Sequence, residues 1–279
     1  METISISVNE NDILPCISGV NLLPVYTLNG FGFSRAVPLE TDAIPALNPY
    51  GLFLNRLFHE AGLAALREVL ESSLLRNAEQ ISFADPAVLF LADESLWKKL
   101  IYRPETLLAC SKDAEFWKNT GIRGVSLSPV ITALETEAIL REVTGCEVMI
   151  HGHPLLSVSA RRLLTAYHSV SPSFDPESRH LFLEEETRKE KMPVFESEYG
   201  TMICSGTELE TFDRIRGFQD AGASQYFIQG EGMPAEDLET VLRIYADLLT
   251  GKDAASAITQ YRILHPQCTE GSYAESTIL

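Results

Sequence analysis

CEVMIHGHPLLSVSARR, residues 146–162, is the stretch from which the fold of this chain is predicted. It begins as an apolar run that alternates as a strand does. It breaks at His-Gly-His-Pro and continues into a segment with serines and arginines that alternates no longer. In α/β enzymes the loops after the strands carry the chemistry. A strand that ends in His151 and Gly152 therefore predicts that these residues point into a site.

Patterns typical of strands and helices alternate about eight times along the chain, with short links. Helices are predicted over 61–77 and over 234–249, the latter beginning at Pro234 and ending before Gly251. This alternation predicts one domain over residues 1–251, an α/β fold of the (β/α) TIM-barrel type. An open doubly wound sheet is the alternative. The first two repeats lack convincing helices, so we expect an irregular barrel there.

Further elements follow from apolar periodicity and from caps. Strands are predicted over 100–108, with Arg103 and Glu105 on one face, and over 225–229. Residues 208–221 are predicted to form a helix. These elements complete the alternation on either side of the central strand.

The chain leaves this pattern once and then ends in a tail. Residues 180–185 and 192–203 read as two strands around the charged turn 187–191. We expect a β-hairpin insertion, residues 180–204, before the last barrel strand. Residues 252–279 are expected to form a C-terminal tail that packs on the barrel or trails from it.

Composition restricts the class of protein. The chain has 279 residues, of which 45% are hydrophobic, and a formal net charge of -17. No apolar run approaches the roughly 18 residues of a membrane span, and the polar N-terminus does not resemble a signal or transit peptide. Five dispersed cysteines are typical of reduced thiols. We therefore expect a cytoplasmic protein without a membrane partner, whose surface on average repels nucleic acid.

Several segments together resemble the collagenase-like peptidase family of unknown catalytic type. They are SFADPAVL (82–89), EVMIHG (147–152) with the SVSARR that follows it, PVFESEYGTMICSGTELE (193–210), AGASQYFIQGEGMPAEDLETVLRIYADLL (221–249) and the tail HPQCTEGSYAES (265–276). The chain looks most similar to the short members that hydroxylate the wobble uridine of tRNA. Some bacteria use two paralogous chains for this reaction. The resemblance implies a barrel, a paralogous partner and tRNA contact through the complex.

The resemblance also implies a cofactor, but its ligands are missing here. Many members hold an iron–sulfur cluster with four cysteines, the first two of which follow the His-Gly of the central strand. Those two positions hold Leu155 and Arg162 in this chain, the loop 169–178 has no cysteine for the third, and Glu210 stands at the fourth. Leucine and arginine cannot bind iron as thiolates do. Cys204 lies six positions before Glu210, and we interpret it as a small buried apolar side chain. We therefore expect no cluster and no other cofactor.

Four residues are candidates for catalysis. His151 matches the family's strand-end histidine and is interpreted either as an acid–base group at the barrel mouth or as a satisfied structural histidine. Arg161 matches a family position, where it would hold a phosphate or carboxylate, or would form a salt bridge. Asn55 and Glu105 lie at predicted strand ends, where barrel sites are built.

A second set of residues is expected to contribute to binding. Its members are Ser128, Gly152, Ser157, Ser159, Gln229 and Glu231. Family members carry a basic residue inside the last strand and an arginine just after it, where this chain has Gln229 and Glu231. His151 and His153 are two residues apart and could share a metal on one strand face, but the family does not require His153. We expect no metal site.

Three functions are compatible with these patterns. The first is a cluster-less subunit or accessory of tRNA hydroxylation, and the second is a degenerate barrel kept as a binding or scaffolding module. The third, a peptidase, lacks support because the sequence has no GxSxG, no HExxH and no cysteine beside a plausible histidine base.

Overall fold

A computed structural model describes residues 1–9, 12–42, 49–105, 107–186 and 190–274 of the chain. Eight parallel strands form the centre of the fold. They are β1 (Thr3–Ser7), β2 (Asn21–Thr27), β3 (Gly51–Leu54), β4 (Gln80–Phe83), β5 (Leu100–Tyr102), β6 (Gly124–Ser126), β7 (Cys146–Gly152) and β13 (Gln225–Gln229). Each strand pairs with the next, and β13 pairs with both β7 and β1. The sheet is therefore closed, which confirms the predicted TIM-type barrel and excludes the doubly wound alternative.

Helices surround this barrel. They are α1 (Leu63–Leu70), α2 (Ser73–Asn77), α3 (Ala87–Leu91), α4 (Glu94–Trp97), α5 (Ser111–Asn119), α6 (Ala133–Glu142), α8 (Ile215–Asp220) and α9 (Ala235–Leu249). In the described part of the links from β1 to β2 and from β2 to β3, no helix forms. This confirms the irregularity expected in the first repeats.

Some predicted boundaries were wrong for local reasons. The helix predicted over 61–77 is interrupted at Ser72, whose hydroxyl accepts a hydrogen bond from the backbone N–H of Leu75 at 3.3 Å and so begins a second helix. Strand β5 ends at Tyr102 instead of Leu108, before Pro104, which cannot donate to a neighbouring strand.

The helix predicted over 208–221 was also wrong in its first half. Residues Glu208–Glu210 form β12, which pairs antiparallel with the end of β7, and only Ile215–Asp220 are helical. Tertiary pairing overrides helix propensity here, because the end of β7 offers unpaired backbone groups.

The insertion between β7 and β13 is larger than the predicted hairpin. It contains β8 (Leu155–Ser159), α7 (Leu163–His168), β9 (Leu181–Glu184), β10 (Lys191–Ser197) and β11 (Gly200–Cys204). The four strands form a separate antiparallel sheet in the order β8-β11-β10-β9. The predicted charged turn 187–191 lies partly outside the described residues.

The described part of the tail packs on the barrel. It forms α10 (Ala255–Leu264) and β14 (Cys268–Thr269), and β14 pairs with β12. The hydroxyl of Tyr273 donates to the backbone carbonyl of Met149 in β7 at 3.0 Å. Within the described ranges, no helix has the length and apolar character needed to cross a membrane.

Candidate functional site at the barrel mouth

A cavity of about 50 Å³ lies at the carboxyl ends of the barrel strands, beneath the separate sheet. Active sites of TIM barrels lie at this end. The apolar part of its lining comes from both bodies: Phe33, Phe53, Met149 and Phe227 from the barrel, and Phe195 and Met202 from the sheet. Its larger polar side chains are Asn55, Glu105, His153, Gln229 and Glu231. The cavity thus combines aromatic faces with a few polar groups, as ligand sites commonly do.

A buried ion pair lies next to this cavity in the barrel lumen. The Arg103 guanidinium donates to Glu147 Oε1, and both side chains are at most 2% exposed. The guanidinium carbon lies 3.8 Å from the ring centroid of Phe227 and 5.3 Å from that of Phe53. Glu147 Oε2 also accepts from Gln80 Nε2 at 3.5 Å. The ion pair holds the Arg103 guanidinium against the phenyl rings of Phe53 and Phe227 at the inner end of the cavity.

Glu231 contributes a carboxyl group that stays partly protonated at higher pH than usual. The side chain is 5% exposed. Its carboxylate accepts hydrogen bonds from the hydroxyl of Ser7 and, at 3.3 Å, from Nε2 of Gln229. Burial raises its pKa, although these hydrogen bonds and the charge of Arg35 partly oppose the rise.

Glu105 contributes a second such carboxyl group from the loop after β5. Burial raises its pKa; Arg103 opposes the rise, while Glu147 and Glu231 add to it. Its backbone has φ of 58°, a left-handed conformation that non-glycine residues rarely adopt. Such strained residues cluster at functional sites. The two carboxyl groups line the same cavity, and we refer to them as the acidic pair.

Gln229 and Gly152 form the side of the mouth where β13 and β7 end. Gln229 Oε1 accepts from the backbone N–H of His153 at 2.8 Å. Gly152 has φ of 117°, and a Cβ there would lie 2.5 Å from Cβ of Gln229. Because any side chain at position 152 would collide with Gln229, only glycine fits between the two strand ends. Asn55 holds the opposite side, because its amide bonds both the N–H and the C=O of Phe33, at 2.8 and 3.0 Å.

His151 does not lie in the cavity, contrary to its expected place at the mouth. The register of β7 against β13 shifts so that Phe227 pairs with Met149 and Ile228 with His151. The irregularity turns the imidazole outward, where it is fully buried. Its Nε2 lies 3.0 Å from Glu208 Oε1 and 3.2 Å from the hydroxyl of Tyr261, and its Nδ1 lies 3.3 Å from that of Tyr245. These contacts fit the interpretation of a satisfied structural histidine.

Four other predicted residues also lie away from the cavity. Arg161 is exposed, and its backbone N–H donates to Ser159 Oγ at 3.1 Å. Ser157 and Ser159 belong to β8, paired with Ile203 and Thr201. Ser128 is fully buried after β6, with its N–H bonded to the carbonyl of Leu108 at 2.9 Å. The structure thus brings together Asn55, Glu105, Gly152, Gln229 and Glu231 of the predicted set.

The positions that hold cluster cysteines in the family do not fit an iron–sulfur cluster here. Leu155 lines the cavity with an apolar side chain. Arg162 pairs with Glu196 at 3.3 Å, and Glu210 pairs with Arg262. Among the described residues no group of three or more His, Cys, Asp or Glu side chains could hold a metal ion. The donors at these positions are thus engaged in protein contacts and include no thiolate.

Cys204 and His153 line the same cavity, a proximity that the sequence had not indicated. Burial raises the pKa of Cys204 to about 12, and Glu231 adds to the rise. His153 Nδ1 bonds instead to the carbonyl of Ser205 at 2.8 Å, and burial lowers its pKa. Because a nucleophilic cysteine needs a lowered pKa, this pair does not form an activated peptidase dyad.

Sequence reasoning missed the aromatic lining and the Arg103–Glu147 pair. Phe33, Phe195 and Phe227 come from three distant segments, so no local pattern connects them. The ion pair could have been suspected from Glu147, because this charged residue lies within a strand that is buried throughout. Buried charges are almost always paired, and the partner of Glu147 is an arginine that follows β5, two strands away from β7.

Comparison with known proteins gives three similarities. The model of peptidase family U32 matches residues 50–267. The tRNA hydroxylation protein P2 of Bacillus subtilis (strain 168) is 28% identical over 206 residues, which are 70% of this chain and 66% of that protein. The match therefore spans just under two thirds of that relative. A solved structure described as the U32 peptidase Mk0906 aligns with a TM-score of 0.48 and 14% identity, over 84% of this chain and 94% of the other.

Proposed function

Because this chain belongs to peptidase family U32, we propose that it acts in the 5-hydroxylation of the tRNA wobble uridine as a cluster-less subunit beside a paralogous chain. Its similarity to a Bacillus subtilis tRNA hydroxylation protein over 206 residues supports the reaction class. The reaction would place the protein in the cytoplasm. The scaffold alternative makes no use of the acidic cavity and is therefore less favoured.

The observation that carries the proposal is the acidic pair in an aromatic cavity. Burial raises the pKa of both carboxyl groups, and a carboxyl group in its protonated form can donate a hydrogen bond to a carbonyl oxygen. A uracil ring has two carbonyl oxygens and a flat face that stacks on aromatic side chains. We propose that Glu105 and Glu231 bind the base edge while the phenyl rings of the mouth contact its face.

These residues would bind and orient the base and hold a proton, but they supply no redox step. Leu155, Arg162 and Glu210 offer no thiolate for an iron–sulfur cluster. We assign the redox chemistry to the paralogous chain. The net charge of -17 supports a division of labour in which that chain also makes most of the phosphate contacts.

Nucleoside mass spectrometry of bulk tRNA from a strain lacking this chain tests the reaction class. We expect the 5-hydroxyuridine derivatives at the wobble position to fall and to return when the gene is restored. Unchanged hydroxylation in the deletion strain would overturn the proposal.

The subunit role has a separate test. Iron and sulfide are measured in the chain purified alone and in material isolated through a tag on it. We expect less than about one iron per four chains in the isolated protein, and a co-purifying family paralogue that carries iron. A brown, iron-rich chain without a partner would contradict the cluster-less role.

A further inference from the structure

The mouth cavity offers little free space, although the residues that line it are suited to binding. Its volume of about 50 Å³ is far below the roughly 300–1,000 Å³ of small-molecule sites. Leu155, Phe195, Met202 and Cys204 from the separate sheet form one side of it. These residues pack with Phe33 in an apolar cluster distinct from the main core. A ligand of the size of a nucleobase fits beside the acidic pair only if this sheet moves.

The inserted segment is built as a body of its own. Helix α7 is held to the sheet by Glu196, which accepts from the backbone N–H groups of Leu164 and Thr165 at 2.7 and 3.2 Å and from the hydroxyl of Thr201 at 3.0 Å. Burial of the Glu196 carboxyl is outweighed by these hydrogen bonds, so its pKa is lowered. Internal bonds of this strength let the segment move as a unit.

Two short links join this segment to the barrel at one edge. His153-Pro154 leaves β7, and Ser205-Gly206-Thr207 leads into β12. The links bond each other, because the N–H of Ser205 donates to the carbonyl of Pro154 at 2.7 Å, while His153 Nδ1 bonds the carbonyl of Ser205 at 2.8 Å. Paired short links of this kind are typical of a hinge.

Two arginines fasten the opposite edge. Arg179 donates from Nη1 to three successive carbonyls in the loop after β2, those of Ser34, Arg35 and Ala36, at 3.2, 3.0 and 2.9 Å. The Arg56 guanidinium of the barrel lies 4.0 Å from the ring centroid of Tyr199, in the turn between β10 and β11. These contacts cross from the inserted segment to the barrel at a distance from the links, whereas the hinge contacts the barrel through the N–H of His153, which donates to Gln229 Oε1 at 2.8 Å.

We propose that residues 153–186 and 190–207 form a lid that opens on the paired His153-Pro154 and Ser205-Thr207 links, and that Arg179 and Arg56 fasten it over the mouth cavity. Opening separates Phe33 from Phe195, whose ring centroids are 5.5 Å apart, and exposes the acidic pair. The apolar cluster on the inner face of the lid is small, so closure relies on the polar contacts at the rim.

Cys204 is a natural reporter of this motion. It is 2% exposed, it lines the cavity, and it belongs to the lid. Cys146 is equally buried but lies in the main core, so it reports global unfolding. Replacing the exposed Cys16 and Cys110 by serine leaves a protein in which peptide mass spectrometry follows maleimide labelling of each remaining thiol.

In the otherwise unchanged protein we expect Cys204 to react faster than Cys146, with little dependence on low urea concentrations, because it needs only local opening. Arg179→Ala should accelerate Cys204 labelling about tenfold, since hydrogen bonds from a charged donor are lost, and should leave Cys146 unchanged. Arg214→Ala, which removes a surface contact with Glu270, serves as the matched control. The lid proposal would be refuted if Cys204 and Cys146 were labelled at the same rate in the unchanged protein. It would also be refuted if Cys204 were labelled at the same rate in Arg179→Ala and in the unchanged protein.

Discussion

Glu208 Oε1 lies 3.0 Å from His151 Nε2, on the outer side of β7 and away from the cavity. The remaining oxygen of Glu208 accepts from Cys268 Sγ at 3.4 Å, so one carboxylate connects β7, β12 and the tail. The strand-end histidine therefore anchors the C-terminal segment on the barrel.

Glu208→Gln should destabilise the fold in a pH-dependent way. Burial alone would raise the pKa of Glu208, but its hydrogen bonds, mainly with His151, lower it to about 2. A lowered pKa in the folded state stabilises the fold above the ordinary carboxyl pKa, and this stabilisation is lost as the pH falls towards 2. Urea unfolding should show a loss on the order of 3 kcal/mol at pH 7, which shrinks at pH 3. A difference that is independent of pH would show that the Glu208 carboxylate gains no stability from its hydrogen bonds. Glu239→Gln, on an exposed surface of α9, is the control.

Tyr245→Phe should cost about 1–3 kcal/mol of unfolding free energy. The hydroxyl donates to the carbonyl of Ile150 at 2.6 Å and accepts from the N–H of Thr211 at 3.0 Å. Without it, the buried N–H of Thr211 loses this partner, and the carbonyl of Ile150 keeps the hydroxyl of Thr211 at 3.2 Å. Thermal unfolding measures the effect, and Tyr167→Phe, at an exposed ring, should be neutral. Equal melting temperatures for the two variants would show that the hydroxyl is dispensable.

Gly152→Ala should destabilise the protein more than Gly251→Ala does. Both glycines have positive φ, 117° and 79°, so both substitutions introduce backbone strain of about 1–2 kcal/mol. Nothing lies within 4 Å of a Cβ at Gly251, whereas a Cβ at Gly152 meets Gln229 at 2.5 Å. The difference between the two unfolding free energies reports the steric clash together with the less favourable φ of position 152. If the two losses are equal, the close approach of Gln229 to Gly152 is not rigid.

Arg103→Met should cost about 3–5 kcal/mol, because it leaves Glu147 buried without its cation. Adding Glu147→Gln should recover part of that loss, since the orphaned charge is removed. A double-mutant cycle of urea unfolding measures the coupling. Additive effects of the two substitutions would show that the residues do not act as a pair.

The barrel could be predicted from alternation because each repeat carries its own local period. Strand β8 could not, since Leu155–Ser159 alternates weakly and pairs with a segment more than 40 residues away. The direction of His151 could not be predicted either, because a register shift against β13 reverses the facing of a residue. Glu105 could be named from its position at a predicted strand end, and Glu231 from the resemblance, because family members carry an arginine just after the last strand. Their shared environment depends on burial that only the assembled barrel and lid create.

We propose that the acidic pair at the mouth serves tRNA hydroxylation. The most direct test is nucleoside mass spectrometry of tRNA from the deletion strain complemented with Glu231→Met, Glu105→Met or the surface control Glu239→Met, each expressed at the level of the unchanged chain. We predict full wobble hydroxylation with the control and at least about tenfold less with either mouth variant, because methionine can make no hydrogen bond to the edge of the base. Full hydroxylation with both mouth variants would contradict the account.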